Sequence, residues 1–317
     1  MRRLLVILLL APLQLWALWA QQTPGGSTQM ASTQVVSPPV VSTQVAEVPF
    51  RWDGHAIVMT LRLNDSHREL SFMLDTGADG MAIRKTLADS LGIKPNYAQN
   101  ARVVGGTTQV YISAGNSVHL TDSLTLTGQN MAIFDDVRHG MDGIIGLNLV
   151  KNFITKIDFD RQKISFHTFG DRRRDEGEIA VPLRMHGNLM TVPSVLSLTG
   201  DTACRGYFLF DTGADYKLIV FSDFVEGQGL LESGWKPEAM GTTVSLGHST
   251  PVYHGTASGL TVGYIEVENV AVTLQAAGLA GSLPGNSVDG SIGVQFWAGY
   301  NVTIDLSKKE IYLSSRE

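Results

Sequence analysis

Residues 71–79 read Ser-Phe-Met-Leu-Asp-Thr-Gly-Ala-Asp, and residues 207–215 read Tyr-Phe-Leu-Phe-Asp-Thr-Gly-Ala-Asp. In each copy an apolar run that suits a buried strand ends at an aspartate followed two residues later by glycine, the pattern of a strand running into a turn. The likeness continues downstream. MDGIIGLN at 141–148 is answered by VDGSIGVQ at 288–295, and KIDFDRQKISF at 156–166 by TIDLSKKEIYL at 303–313. Asp142 to Asp158 and Asp289 to Asp305 both span 16 positions, so the tail of each unit has one geometry. Asp75 to Asp142 spans 67 and Asp211 to Asp289 spans 78, so the second unit carries 11 extra residues in its middle, where surface loops absorb insertions. A weaker echo is TQVY at 108–111 against TPVY at 250–253. A repeat of this length means two units of one fold in a single chain.

Both units read as strand-rich. Ala56 to Leu63 and Leu70 to Leu74 are β-type runs separated by Asn64-Asp65-Ser66, a hairpin signal, and Leu189 to Leu198 with Gly206 to Phe210 repeats it. Arg84 to Leu91, closed by Gly92, is the best short helix, and Asn148 to Phe153 and Gln295 to Gly299 are second helices of their units.

Composition agrees with a β-rich globule. The 317 residues are 44% hydrophobic and only 17% charged with 33 glycines, which excludes disorder and coiled coil, and the length suits about two domains. The net charge of −6 argues against a nucleic-acid partner. A lone cysteine, Cys204, excludes an internal disulfide and reads as an inert thiol in a loop between strands. The eight histidines are scattered, and neither an HExxH zinc motif nor a GxSxG nucleophile motif occurs, so no metal site is expected.

Along the chain, residues 1–20 (MRRLLVILLLAPLQLWALWA) form a signal peptide, or an N-terminal membrane anchor if left uncleaved. Residues 21–49, rich in Gln, Thr, Ser, Pro and Val, read as a flexible tether. The repeats then define a lobe at 50–170, a solvated hinge at 171–179 containing DRRRDEGE, and a second lobe at 180–317. The expected location is periplasmic or secreted, with no span in a mature chain that has lost the leader.

Asp-Thr-Gly paired with a later apolar segment and glycine, here Ile144-Ile145-Gly146 and Ser291-Ile292-Gly293, resembles the aspartic proteases. Asp-Thr-Gly-Ala-Asp is also used by the retroviral-type members, and the chain looks like two such units fused. The resemblance covers residues 50–317. It implies an all-β, bilobal pepsin-like fold and an exported endopeptidase that acts as a monomer on a peptide or protein without a cofactor. Asp75 and Asp211 are then the catalytic pair. Two carboxylates about 3 Å apart cannot both ionise, so they share one proton, and one becomes a base for water while the other is an acid for the carbonyl. By the same resemblance Thr76 and Thr212 hydrogen-bond across the pair, and Gly77 and Gly213 let backbone N–H groups approach it. A flap over the cleft is expected at 103–111, with Gly105 and Gly106 at its turn and Tyr111 on its arm, and Tyr253 is the counterpart in the second unit. The alternative is a catalytically inactive peptide-binding module of the same fold.

Two departures from the family pattern matter. Many acid-acting members carry Ser or Thr after the glycine, whereas this chain has Ala78 and Ala214. A missing hydroxyl is a missing donor to a carboxylate, which raises its pKa and moves the expected optimum toward neutral. The retroviral-type members also carry arginine after the apolar-Gly segment, where this chain has Leu147 and Val294. The arginine bridge to Asp79 or Asp215 cannot be carried over, which leaves both substrate contact and turn stabilisation open for these two. Asp142 and Asp289 read as turn residues, and Asp158 and Asp305 as structural.

Overall fold

The computed structural model describes residues 41–103, 106–137, 140–200, 202–245, 248–276 and 288–317. The leader, residues 21–40 of the tether and the flap residue Gly105 lie outside the described residues. In the first half the strands are β1 (Gln44–Trp52), β2 (Ile57–Leu63), β3 (Leu70–Leu74), β4 (Met81–Arg84), β5 (Tyr97–Val103), β6 (Gly106–His119), β7 (Thr125–Phe134), β8 (Gly143–Ile145), β9 (Ile154–Asp158) and β10 (Lys163–His167), with helix α1 (Lys85–Ser90) after β4. In the second half they are β11 (Ile179–Pro182), β12 (Arg184–His186), β13 (Leu189–Ser197), β14 (Ala203–Phe210), β15 (Leu218–Val220), β16 (Ala239–Ser245), β17 (His248–Val262), β18 (Ile265–Gln275), β19 (Gly290–Ile292), β20 (Tyr300–Asp305) and β21 (Glu310–Ser315), with α2 (Ser222–Gly227) and α3 (Val294–Trp297).

The repeat read from the sequence is a repeat of topology. One sheet ends in the order β2-β3-β8-β4-β7-β6-β5, and the other runs β13-β14-β19-β15-β18-β17-β16, with an extra β2–β6 or β13–β17 pairing in each. In both units the strand before Asp-Thr-Gly runs parallel to the short strand of the apolar-Gly segment, β3 with β8 and β14 with β19. β4 with β7 and β15 with β18 are parallel as well, and each parallel pair needs a crossover.

The remaining strands join the halves. The order β11-β21-β20-β9-β10-β1 takes three strands from each repeat, and its centre is the antiparallel pair β9–β20. There Lys156 is registered with Thr303, Ile157 with Val302 and Thr155 with Ile304. Lys156 and Thr303 are equivalent positions of the repeat, so the local two-fold axis passes between them. Ile157 and Ile304 are fully buried beside it.

Sequence expectations and structure differ at five places. Residues 44–49, assigned to the tether, belong to β1 and pair with β10, because Ala46, Val48 and Phe50 alternate as buried residues within a stretch of tether-like composition. The helix expected at 148–153 is a single turn held by Lys151 N–H to Leu147 O and Asn152 N–H to Leu149 O. Helix α2 was not foreseen. Cys204 lies in strand β14, buried, with its thiol pKa raised by burial. The hinge is not wholly solvated, since Arg172 pairs with the buried Glu178 at 2.8 Å and, with Arg174, stacks on the Tyr312 ring. Elsewhere α1 ends as expected, with Gly92 at φ +68°. The 11-residue surplus of the second unit is divided between the α2–β16 loop and the β18–β19 connection. Among the described residues no helix is long and apolar enough to cross a membrane.

Candidate active site

Each Asp-Thr-Gly loop is fixed by the short strand that its own sheet brings alongside. Asp75 N–H donates to Ile145 O at 3.0 Å, and Leu147 N–H returns to Ala78 O at 3.0 Å. Asp211 N–H donates to Ile292 O at 3.1 Å, and Val294 N–H to Ala214 O at 2.8 Å. The glycines of these segments allow that proximity: a Cβ on Gly146 would lie 2.3 Å from Ala78 O, and one on Gly293 would lie 2.3 Å from Tyr216 O.

The two loops are tied to each other through their threonines. Thr76 Oγ1 donates to Phe210 O at 2.8 Å and accepts from Thr212 N–H at 2.9 Å. Thr212 Oγ1 donates to Leu74 O at 2.9 Å and accepts from Thr76 N–H at 3.1 Å. Both threonines are buried, so all four bonds lie in a medium that strengthens them.

This lattice sets Asp75 and Asp211 side by side. Each accepts a hydrogen bond from the glycine N–H of its own loop at 3.0 Å, Asp75 from Gly77 and Asp211 from Gly213. Across the junction a Cβ on Gly77 would stand 2.6 Å from the Asp211 carboxyl carbon, and one on Gly213 would stand 2.2 Å from that of Asp75. Only glycine leaves room for the opposite carboxylate. The two carboxyls are hydrogen-bonded to each other, and burial raises the Asp211 pKa against the lowering influence of Ser291 and of the Gly213 and Ala214 N–H groups. Two acids in one pocket, with the Asp211 pKa raised, hold a shared proton at pH values where exposed carboxylates are ionised.

Residues 59–149 match the family model described as aspartyl protease. The crystal structure of aspartic proteinase from Irpex lacteus is similar in fold, with a TM-score of 0.53 at 14% identity, covering 86% of this chain and 97% of that one. None of the curated proteins matches the chain in sequence.

The chain has the aspartic proteinase fold, and its first unit matches the aspartyl protease family.

Its fold is the all-β, bilobal form of that family. Asp79 and Asp215 bolt one half to the other. Asp79 pairs with Lys151 of its own unit and accepts from Asn188 of the second unit at 2.7 Å. Asp215 meets His55 Nδ1 of the first unit at 2.9 Å and accepts from Gln295 at 2.7 Å, while Gln295 also donates to Gly54 O. Asn188 and His55 were not singled out in the sequence, because contacts across a two-fold leave no local motif.

Asp142 and Asp289 are clamps rather than turns. Asp142 accepts from Ser71 N–H at 3.0 Å and pairs with Arg84 at 3.1 Å, tying β3 to β4. Asp289 accepts from Tyr207 N–H at 2.7 Å at the same point of the second unit. Asp305 caps its turn through Ser307 N–H at 3.0 Å.

The flap candidates fall on equivalent hairpins. β5 and β6 pair through Val103 with Gly106, and β16 and β17 through Ser245 with His248. Gly106 opens β6, and Tyr111 stands exposed on it, 53% accessible. Tyr253 is half-buried and packs against the main core. Sequence reading missed two residues at the dyad: Ser291, whose hydroxyl donates to Asp211 Oδ2 at 3.1 Å, and Tyr216, hydrogen-bonded to Ser291. The signal was available, since both positions break the repeat: Ile144 and Gly80 stand there in the first unit.

Proposed function

We propose that the chain is an exported endopeptidase that hydrolyses an extended peptide by water attack between Asp75 and Asp211. The observation that carries this reading is the facing pair of carboxyls, one from each repeat, each pressed against the other loop's glycine. The ionised member takes a proton from water as the oxygen attacks the scissile carbonyl carbon, and the protonated member donates its proton to the carbonyl oxygen. The resulting tetrahedral diol collapses as the C–N bond breaks. The amine leaves with the proton first taken from water, and the other carboxyl recovers its proton from the diol. No bond between enzyme and substrate forms. Gly77 and Gly213 N–H groups hold the carboxyls in place, and the threonine lattice keeps the two loops from moving apart during the cycle.

The paired hairpins β5–β6 and β16–β17 are proposed as covers for the cleft, with Tyr111 offered to substrate. The leader supports export, which fractionation of the source cell would test.

The activity test is a quenched-peptide library with the 41–317 segment. Asp75→Asn and Asp211→Asn are each expected to lower kcat by about 10³-fold or more, since either removes half of the acid–base pair. Turnover that survives both substitutions would reject the reading.

A further inference from the structure

The two halves of the dyad are not equivalent. Behind Asp211 stand Ser291, from β19, and Tyr216, from the loop that follows Asp211. Ser291 is 1% exposed and its hydroxyl donates to Asp211 Oδ2 at 3.1 Å. A hydroxyl has a single proton, so with that proton on Asp211 the Ser291 oxygen receives the hydrogen bond from Tyr216. The tyrosine is fit to donate it: burial, with Asp211 and Asp75 nearby, keeps its pKa well above the usual value, so it stays protonated. The chain Tyr216 to Ser291 to Asp211 thus directs two hydroxyl dipoles at one carboxylate. The repeat places Ile144 and Gly80 at the equivalent positions beside Asp75, and neither has a hydroxyl to donate. Alanines 78 and 214 remove the donor expected after each glycine, and Ser291 supplies one to Asp211.

We propose that Ser291, backed by Tyr216, is a positioning residue that fixes Asp211 as the ionised member of the dyad and Asp75 as the protonated one. Asp211 then takes the proton from water, and Asp75 protonates the substrate carbonyl. The physical reason is that hydrogen bonds donated to a carboxylate stabilise its charged form, so the Ser291–Tyr216 pair favours the shared proton on Asp75. Asp75 across the dyad and Tyr216 behind the serine are titratable side chains that face Asp211.

This assignment rests on the reading of Asp75 and Asp211 as the acid–base pair, and its test has one readout that needs no turnover. Aspartate carboxyl carbons labelled with ¹³C are titrated by NMR in the wild-type full-length chain, with the two resonances identified by their loss in Asp75→Asn and Asp211→Asn. The Asp211 carboxyl is expected to ionise first as pH rises. In Ser291→Ala its titration moves up by about one pH unit, the scale of one hydrogen bond to a charge, and in Tyr216→Phe by less in the same direction. In the cleavage assay the acid limb of kcat/KM moves up with it, kcat falls several-fold at the wild-type optimum, and KM stays within two-fold. An Asp75 carboxyl that ionises first, or a Ser291→Ala titration that superimposes on wild type, overturns the assignment. Absence of cleavage by wild type would reject the enzymatic reading alone, because the titration order is read without it.

Discussion

A buried carboxylate is costly, and Asp211 carries that cost in a measurable way. Burial raises its folded pKa above the ordinary 3.8, so the folded state holds its proton more tightly than the unfolded chain does. By linkage, this contribution favours folding at low pH and is lost as pH rises from near 3.8 through the higher folded value. Asp211→Asn keeps the shape and an acceptor for Ser291 while removing the charge. The variant is therefore expected to melt above wild type at pH 7, with the gap closing toward pH 4, as read by thermal unfolding at both pH values. Equal melting temperatures at pH 7 would mean that the carboxyl is not desolvated. At this scale the sequence was a good guide where one residue type alone fits: Asp75, Asp211, Gly77 and Gly213 could be named from two short motifs. Ser291 breaks the repeat, but the break acquires a meaning only once the strand is known to run beside Asp211.

Among elements, the short strands β8 and β19 govern the site, since each supplies the carbonyl that receives the aspartate N–H and runs into the glycine that lets the loop close down. A methyl on Gly146 would meet Ala78 O at 2.3 Å and Gly80 O at 2.4 Å, and one on Gly293 would meet Tyr216 O at 2.3 Å and Ala214 O at 2.6 Å. These are rigid backbone atoms. Gly146→Ala and Gly293→Ala are expected to destabilise the fold by about 1–3 kcal/mol and to lower kcat by about 100-fold, more than the stability loss accounts for, because the loops must shift away from the dyad. Denaturant unfolding beside kinetics on the folded fraction separates the two effects; full activity in either variant would show that the loop position is not critical. The hairpins and α1 were legible through alternation, turn residues and a glycine stop. Residues 44–49 were not, because their period-2 pattern is short and hidden in a Thr/Val/Gln composition that reads as tether. The turn at 148–151 was overcalled, since one helical turn and the start of a helix look alike over so few residues.

For the whole molecule, the shared sheet β11-β21-β20-β9-β10-β1 means that neither half is complete alone. A chain ending at residue 299 loses β20 and β21, leaving β9 an open edge and β11 without its partner. It is expected to give no folded monomer by circular dichroism and size-exclusion chromatography, whereas a native-like monomer would mean that the halves fold independently. The duplication made the two equivalent tails legible from sequence, but not that they pair with each other at the axis. The bolts His55–Asp215 and Asn188–Asp79 were illegible, because each joins residues from different repeats and needs the two-fold geometry to bring them together. All of these features converge on one shared proton. Difference potentiometric titration of wild type against Asp75→Asn and Asp211→Asn measures it. The account predicts a carboxyl titrating above the ordinary carboxylate range in wild type and shifted down or lost in both variants; a step unchanged in either one, or absent from wild type, would contradict it.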